Sequence, residues 1–460
     1  MQPPFDIAAD LDTPVSAYLK LAPFGPRFLL ESVEGGERIG RFSFIGFGDD
    51  TAFRLEGDRL RTGSVVTQAP RDRTSLLAAL RRALAQAPRP RPELSGLNFH
   101  GGLVGVAGYD LVRRLRNLPA TRETDAFPEA IYVTPRSVLV FDHLTRRVAL
   151  LHDGNDSERL GLRREVIAAL RGSLPPRPRP GGFAAPMPNL GPEAYMSAVR
   201  RAQGHITAGD IYQMVLSVRF SGKTDLDPFE VYRALRLLNP SPYMYFCDFD
   251  DIAVVGSSPE ALVRLEGRAA ELRPIAGTRP RGRDPEEDAR LECELVADPK
   301  EGAEHVMLVD LARNDLGRVA VTGSIEVHPY RTVERYSHVM HLVSGVRGVL
   351  REDADAFELF ADTFPAGTVV GAPKMRAMEL IDQLEPSPRG FYAGTVGYFG
   401  HGGTMDQAIA IRTLVFRDGV YAFQAGAGIV ADSTPEREHA ELVAKGAALS
   451  AALELAAEGL

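Results

Sequence analysis

Residues 171–192 read RGSLPPRPRPGGFAAPMPNLGP, a run whose proline and glycine density excludes a regular helix or an inner strand. It predicts a linker over 173–191 that divides the chain into an N-terminal domain, 1–172, and a C-terminal domain, 192–460. Upstream, the strand-like runs FSFIGF from Phe42, AIYVTPRSVLVFDH from Ala130 and RVALLHD from Arg147 alternate with helical patterns such as TSLLAALRRALAQA from Thr74. Downstream, Pro192 and Glu193 open a helical pattern that Gly209 can stop, and IYQMVLSVRF then reads as a strand. The block PEEDARLECELVADPKEGAEHVMLVDLARNDLG predicts two helices broken near Asp298 and Pro299. The last block has Thr434 as N-cap candidate, Pro435 at the first helical position and acids in the first turn, which predicts one long terminal helix. Strands and helices interleave without a regular strand-helix-strand period or an internal repeat, so the pattern predicts an α+β fold over a doubly wound sheet.

Composition narrows the class. A chain of 460 residues, 44% hydrophobic and 25% charged, can bury one large core or two moderate ones. The formal net charge of -8 lacks the basic footprint that nucleic acid or an anionic membrane surface requires. Two cysteines, Cys247 and Cys293, are too few for a disulfide framework or a thiolate metal cage, which fits a reduced, cytoplasmic setting. The opening MQPPFDIAADLDTP has acids and prolines where a secretory signal has a basic stretch and an apolar one. No apolar run approaches the roughly 20 residues of a membrane span.

Two acidic pairs stand at helical spacing. Glu301 and Glu304 are three apart in KEGAEHVML; Glu438 and Glu441 repeat that spacing in REHAELVAK, with Lys445 four residues on. Two such helices brought together offer hard oxygen ligands of the kind Mg²⁺ prefers, or each pair is simply a solvated helix face. His338 and His341 sit at i,i+3 without the cysteines or further histidines that complete a zinc set. The glycines of GAGIV, from Gly426, match neither dinucleotide nor phosphate-loop spacing; they permit close approach of backbone N–H groups to an anion, or a tight turn.

Taken in order, the strings GDIYQMVLSVRF, NPSPYMYF, GSSPEALVRLEG, RPIAGTRPRG, DPKEGAEHVMLVDLARNDLGRV, VERYSHVMHLVSGVRG, FPAGTVVGAPKMRAMELI, RGFYAGTVGYF, AIAIRT and QAGAGIVADSTPEREHAELVAK resemble the chorismate-utilising enzymes, most closely the anthranilate-forming branch. LLESVEGGERIGRFSFIG and GGLVGVAGYDLVRRL extend the likeness into the N-terminal segment. The resemblance implies interleaved sheets and helices with the active site in the C-terminal domain. It also implies a lyase that adds ammonia at C2 of chorismate, loses the C4 hydroxyl and eliminates pyruvate, giving anthranilate for tryptophan synthesis.

Residue by residue, the resemblance makes Glu301, Glu304, Glu438 and Glu441 the Mg²⁺ ligands, with Glu304 and Glu441 direct and the other two acting largely through water. Glu260 becomes the general acid for the departing hydroxyl and His341 a proton-handling group. Substrate contacts fall on Gly277, Thr278, Tyr392, Arg412, Gly426, Ala427, Gly428 and Lys445. Water-using relatives carry a lysine where this chain has Gln213, and aminodeoxychorismate synthases carry one where it has Ala276. A lysine can act as base or nucleophile and an amide or a methyl cannot, so both positions favour ammonia addition at C2. The resemblance further implies an L-tryptophan pocket lined by Ser32, Pro242, Tyr243 and Met244, with Glu31 and Arg41 nearby. Neither cysteine stands at a glycine-rich turn as a glutaminase nucleophile, so ammonia is expected from a separate glutamine amidotransferase subunit in a hetero-oligomer. The alternatives are an aminodeoxychorismate synthase component or a tryptophan-sensing subunit without catalysis. The chain departs from its relatives at Ala393, where glycine is common, and at Ala444 and Gly446 beside Lys445.

Overall fold

The computed structural model describes residues 5–32, 40–48, 51–116, 118, 127–176, 181–335 and 339–460; His338 lies outside them. Two large antiparallel sheets and one small one carry the fold. The first sheet runs in the order Ile7–Ala8, Arg147–His152, Ser137–Asp142, Phe42–Phe47, Pro26–Glu31, Tyr243–Asp248, Ile252–Ser258, Thr413–Arg417, Val420–Ile429, Gln213–Lys223 and Met187–Pro188. The second runs from Glu326–Val327 through Val346–Val349, Ala269–Leu272, Ala261–Glu266, Met405–Ile409, Thr395–Gly400, Gly102–Ala107, Ala130–Val133 and Thr51–Glu56 to Arg59–Thr62 and Val65–Gln68.

Both sheets therefore cross the 173–191 boundary. In the first, Met244 pairs with Glu31 and Phe246 with Leu29; in the second, Thr395 pairs with Ala107 and Phe399 with Leu103. The linker region also touches the sheet, since Met187 and Pro188 pair with Ser221 and Phe220 as an edge strand. An edge is where proline is tolerated, because its missing N–H faces outward.

The expected elements form for local reasons. Helix Arg73–Gln86 starts from Asp72, which accepts from the Ser75 N–H in a capping box. Asp298 ends helix Pro285–Ala297 and caps helix Pro299–Gly317 by accepting from the N–H groups of Lys300 and Glu301. The terminal helix Pro435–Glu458 opens at Thr434, although that side chain makes no capping hydrogen bond. The terminal helix buries Leu442, Leu449 and Leu453. It packs on strand Val420–Ile429 and on helix Pro228–Leu238. Among the described residues no helix is long and apolar enough to cross a membrane.

Candidate active site

Glu260 stands where the chain passes from one large sheet to the other. Strand Ile252–Ser258 belongs to the first sheet and Ala261–Glu266 to the second, so Ser258, Pro259 and Glu260 form the crossover. The backbone is pinned there: the Ile409 N–H donates to the Glu260 carbonyl at 3.0 Å. Its side chain lines a cavity with Leu262, Leu308, Asp315, Thr363 and Thr368. Burial pushes the carboxyl up to about 8, opposed by the Thr368 hydroxyl and more weakly by the Lys445 ammonium. Thr368, whose hydroxyl is buried without a hydrogen-bond partner among the described residues, was missed in the sequence; only its place between Phe364 and Lys374 marked it.

The acids come from two helices, Pro299–Gly317 and Pro435–Glu458. Burial and the neighbouring Glu301 and Glu441 charges hold Glu304 above its ordinary value, and Gln213 Nε2 donates to Glu304 Oε1 at 3.3 Å. Glu438 is raised by burial and by Glu441, and its Oε2 is buried without a hydrogen-bond partner. Cations reach the same cluster. Lys445 Nζ lies 2.6 Å from Glu441 Oε1 and donates to the Gly426 carbonyl at 3.1 Å, while Arg279 Nη1 donates to Glu301 Oε1 at 3.3 Å.

The small sheet lies beside Glu301. Strands Ile275–Pro280 and Val339–Val343 set Thr278 opposite His341. The Gly277 carbonyl lies 2.9 Å from His341 Nδ1; a carbonyl only accepts, so Nδ1 carries the proton and Nε2 presents a lone pair. Burial lowers this imidazole, with the Arg412 guanidinium adding to the effect, so it is neutral near pH 7. Gly277 has φ +62, and a side chain there would meet Leu295 and Glu301. Arg412 also takes a left-handed backbone, φ 50, between strands Met405–Ile409 and Thr413–Arg417, and its carbonyl accepts from the Ser257 N–H at 3.1 Å.

Gly426, Ala427 and Gly428 lie within strand Val420–Ile429, not in a turn. A Cβ at Gly426 would sit 2.6 Å from the Tyr392 hydroxyl, and one at Gly428 would sit 3.0 Å from Gln213 Nε2. Their lack of side chains thus makes room for Tyr392 and Gln213. Burial holds the Tyr392 phenol up at about 12, so it stays a donor at neutral pH. Behind it, Arg389 stacks on the ring with its guanidinium carbon 5.6 Å from the centroid and bonds Val369 and Val215 carbonyls, an arrangement the sequence did not flag.

The residues expected to line the second pocket lie mostly on and beside two adjacent strands of the first sheet, Pro26–Glu31 and Tyr243–Asp248. Glu31 and Met244 are register partners, Pro242 is buried, and the Tyr243 hydroxyl donates to Asp406 Oδ1 at 3.0 Å. Among the described residues Glu31 Oε2 and Ser32 Oγ are buried without hydrogen-bond partners. The arginine paired with Glu31 is Arg236, whereas Arg41 is held by Asp142 through two bonds of 3.2 and 3.0 Å.

The expected Mg²⁺ ligands do not gather into a metal-binding group. Among the described residues no group of three or more His, Cys, Asp or Glu is gathered closely enough to hold a metal ion. The hard carboxylate oxygens, mutual repulsion and the unpartnered Glu438 oxygen nonetheless suit a divalent cation such as Mg²⁺.

A family profile described as chorismate binding enzyme matches residues 25–451. The chain is 49% identical over 464 residues to anthranilate synthase component 1 of Thermus thermophilus, covering 98% of this chain and 97% of that one. It is 45% identical over 470 residues to the Aquifex aeolicus protein of the same name, covering 98% and 94%. Its fold matches a crystal structure of anthranilate synthase component I from Streptococcus pneumoniae with a TM-score of 0.79 at 34% identity, covering 96% and 98%. A menaquinone-specific isochorismate synthase from Escherichia coli shares the fold at TM-score 0.69 and 22% identity, covering 95% of this chain and 90% of that one.

Proposed function

The chain belongs to the chorismate-binding enzymes, and from that membership we propose that it is the large subunit of an anthranilate synthase, converting chorismate and ammonia to anthranilate and pyruvate. The observation that carries this reading is the Glu260 carboxyl, held protonated near neutral pH in the cavity wall at the sheet crossover. Hydroxide is a poor leaving group; a neutral carboxyl supplies the proton that lets the C4 oxygen depart as water while the nitrogen lone pair forms the bond at C2. Gln213 and Ala276 offer no base to activate water and no amine to attack, which leaves the nucleophile to be ammonia itself.

Neutral His341 presents Nε2 as a proton acceptor for the elimination of pyruvate. Arg412, the Tyr392 hydroxyl and Lys445 hold the substrate carboxylates, and the Thr278 and Gly277 segment positions the ring beside His341. When bound, Mg²⁺ neutralises the ring carboxylate conjugated to the reacting bonds. Glu301, Glu304, Glu438 and Glu441 would hold it, with Glu304 and Glu441 as direct ligands. The reading includes feedback control by L-tryptophan bound between residues 29–32 and 239–244, supported by the unpartnered Glu31 and Ser32 oxygens. It also includes a glutamine amidotransferase partner that supplies the ammonia.

The test is direct. Protein mixed with chorismate, Mg²⁺ and ammonium at mildly alkaline pH should develop anthranilate fluorescence. Folded, Mg²⁺-supplied protein that yields no anthranilate, or yields a hydroxylated or C4-aminated product instead, overturns the reading.

A further inference from the structure

Tyr392 stands on a buried polar hub that the reaction scheme leaves unused. At its centre Arg389 and Glu385 form an ion pair whose side chains are 1% and 4% exposed, with Nη2 2.6 Å from Oε1 and Nε 3.0 Å from Oε2. The guanidinium also donates to the Val369 carbonyl at 2.7 Å and to the Val215 carbonyl at 2.8 Å. Glu385, which follows helix Lys374–Leu384, accepts at Oε1 from the Ser217 N–H at 2.9 Å and from the Ser217 hydroxyl at 2.8 Å. The pair thus ties strand Gln213–Lys223 and the turn Gly367–Val369 to the segment that carries Tyr392.

These attachments converge on the proposed substrate contacts. Ser217 and Val215 are the register partners of Gly426 and Gly428. The Arg389 guanidinium carbon lies 4.9 Å from the Tyr109 ring centroid and 5.6 Å from that of Tyr392, both within cation–π range. The Arg389 carbonyl accepts from the Tyr392 N–H at 3.2 Å, so the tyrosine is held by backbone as well as by its ring. After burial, Arg389 and Glu385 are the charges that act on the phenol, the first favouring its ionised form and the second its protonated form.

A buried ion pair adds little net stability, because desolvation offsets its attraction. What an arginine adds is direction: its donors lie in one rigid plane, and bonds to Glu385, Val369 and Val215 fix that plane against three segments of the chain. The Tyr392 ring packed on the guanidinium is fixed with it. We propose that Arg389 and Glu385 are positioning residues for Tyr392, holding its ring so that the hydroxyl meets the substrate carboxylate beside Gly426. The proposal rests on the reading that Tyr392 binds chorismate. Room for the hydroxyl at that point is tight, since a Cβ on Gly426 would lie 2.6 Å from it. A small swing of the ring therefore changes what the hydroxyl can reach.

The experiment measures chorismate binding to the full chain by calorimetry, with Mg²⁺ and without ammonium, in a cycle of Arg389→Lys and Tyr392→Phe. Lysine keeps the charge beside Glu385 but offers a single point of attachment in place of the fork. Each single variant should weaken binding about tenfold. Together they should weaken it no more than about twofold beyond Tyr392→Phe alone, because a ring without its hydroxyl leaves no donor to position. A hub that only supports the fold would cost the same in both backgrounds, so losses that multiply to about a hundredfold overturn the proposal. Wild-type affinity in folded Arg389→Lys overturns it as well. Should Arg389→Lys not fold, Arg389→Met combined with Glu385→Gln takes its place in the cycle with the same expectations, since it removes both charges and strands neither. If the wild type does not bind chorismate, or Tyr392→Phe binds it as the wild type does, the reading of the site fails and the proposal with it; multiplying losses leave that reading intact and sink the proposal alone.

Discussion

Glu260 draws its role from its surroundings. Ordinary glutamate would be ionised throughout the neutral range; enclosed at the sheet crossover, this one keeps its proton until about pH 8. The sign follows: a raised carboxyl pKa leaves the acid form populated below the shifted value and empties it above. The kcat profile at saturating ammonia should therefore fall on the alkaline side near pH 8. Glu260→Gln should lower kcat by about 10²–10⁴-fold and abolish that limb, as read in stopped-time anthranilate assays. In the proposed tryptophan pocket, Ser32→Ala removes a buried hydroxyl that has no hydrogen-bond partner among the described residues. It should weaken tryptophan inhibition severalfold while leaving uninhibited turnover nearly unchanged, a comparison made by titrating L-tryptophan against initial rate. Residue types in GSSPE and LLES were legible in the sequence. The partners Thr368 and Arg236 were not, because each arrives from a distant segment.

Elements form where capping and periodicity act locally, and these were largely readable: Asp298 and Pro435 mark helix starts as expected, while the helical pattern read from Thr74 begins behind an Asp72 cap that the sequence reading did not name. Gly446 is a different case. Read alone it weakens the terminal helix by about 1 kcal/mol against alanine. In the fold it is buried, and a Cβ there would lie 3.3 Å from Phe423 Cε2, so the missing side chain lets the helix close onto strand Val420–Ile429. Gly446→Leu should destabilise the protein by about 1–3 kcal/mol through overpacking, visible as a lower urea midpoint. That packing also sets the height of Glu441 and Lys445 over the site, so the KM for chorismate should rise in the same variant. Ala393, by contrast, sits at φ 62, where a methyl costs about 1 kcal/mol, and nothing in the structure explains its choice over glycine.

At the scale of the molecule, the 173–191 break divides the chain but not the sheets. Residues 192–460 alone would expose two strand edges, Tyr243–Asp248 and Thr395–Gly400, that in the whole protein pair with Pro26–Glu31 and Gly102–Ala107. Unpaired edges of that length template association. A 192–460 fragment should accordingly aggregate, or lose near-ultraviolet dichroism, when compared with the full chain by gel filtration and spectroscopy. A monomeric, cooperatively folding fragment would contradict this. The same continuity would give an inhibitor bound in the proposed pocket by Glu31 and Met244 a short route to Glu260, since strand Ile252–Ser258 lies beside Tyr243–Asp248 and ends two residues before the acid.

By itself the sequence determined what is local or chemical: helix starts, strand runs, the α+β class and the side chains on which the chemistry depends. Ordered motifs carried the family likeness because binding an anion, releasing a hydroxyl and gathering carboxylates each need particular groups. Only the tertiary structure decided that both sheets span the two segments, that Glu260 lies at their crossover with Thr368 beside it, and that Arg236 pairs with Glu31. Sheet pairing joins residues hundreds of positions apart through backbone groups common to every residue, so no local pattern names the partner strand. A carboxyl's proton affinity likewise depends on what packs around it, and that is set only when the sheets close.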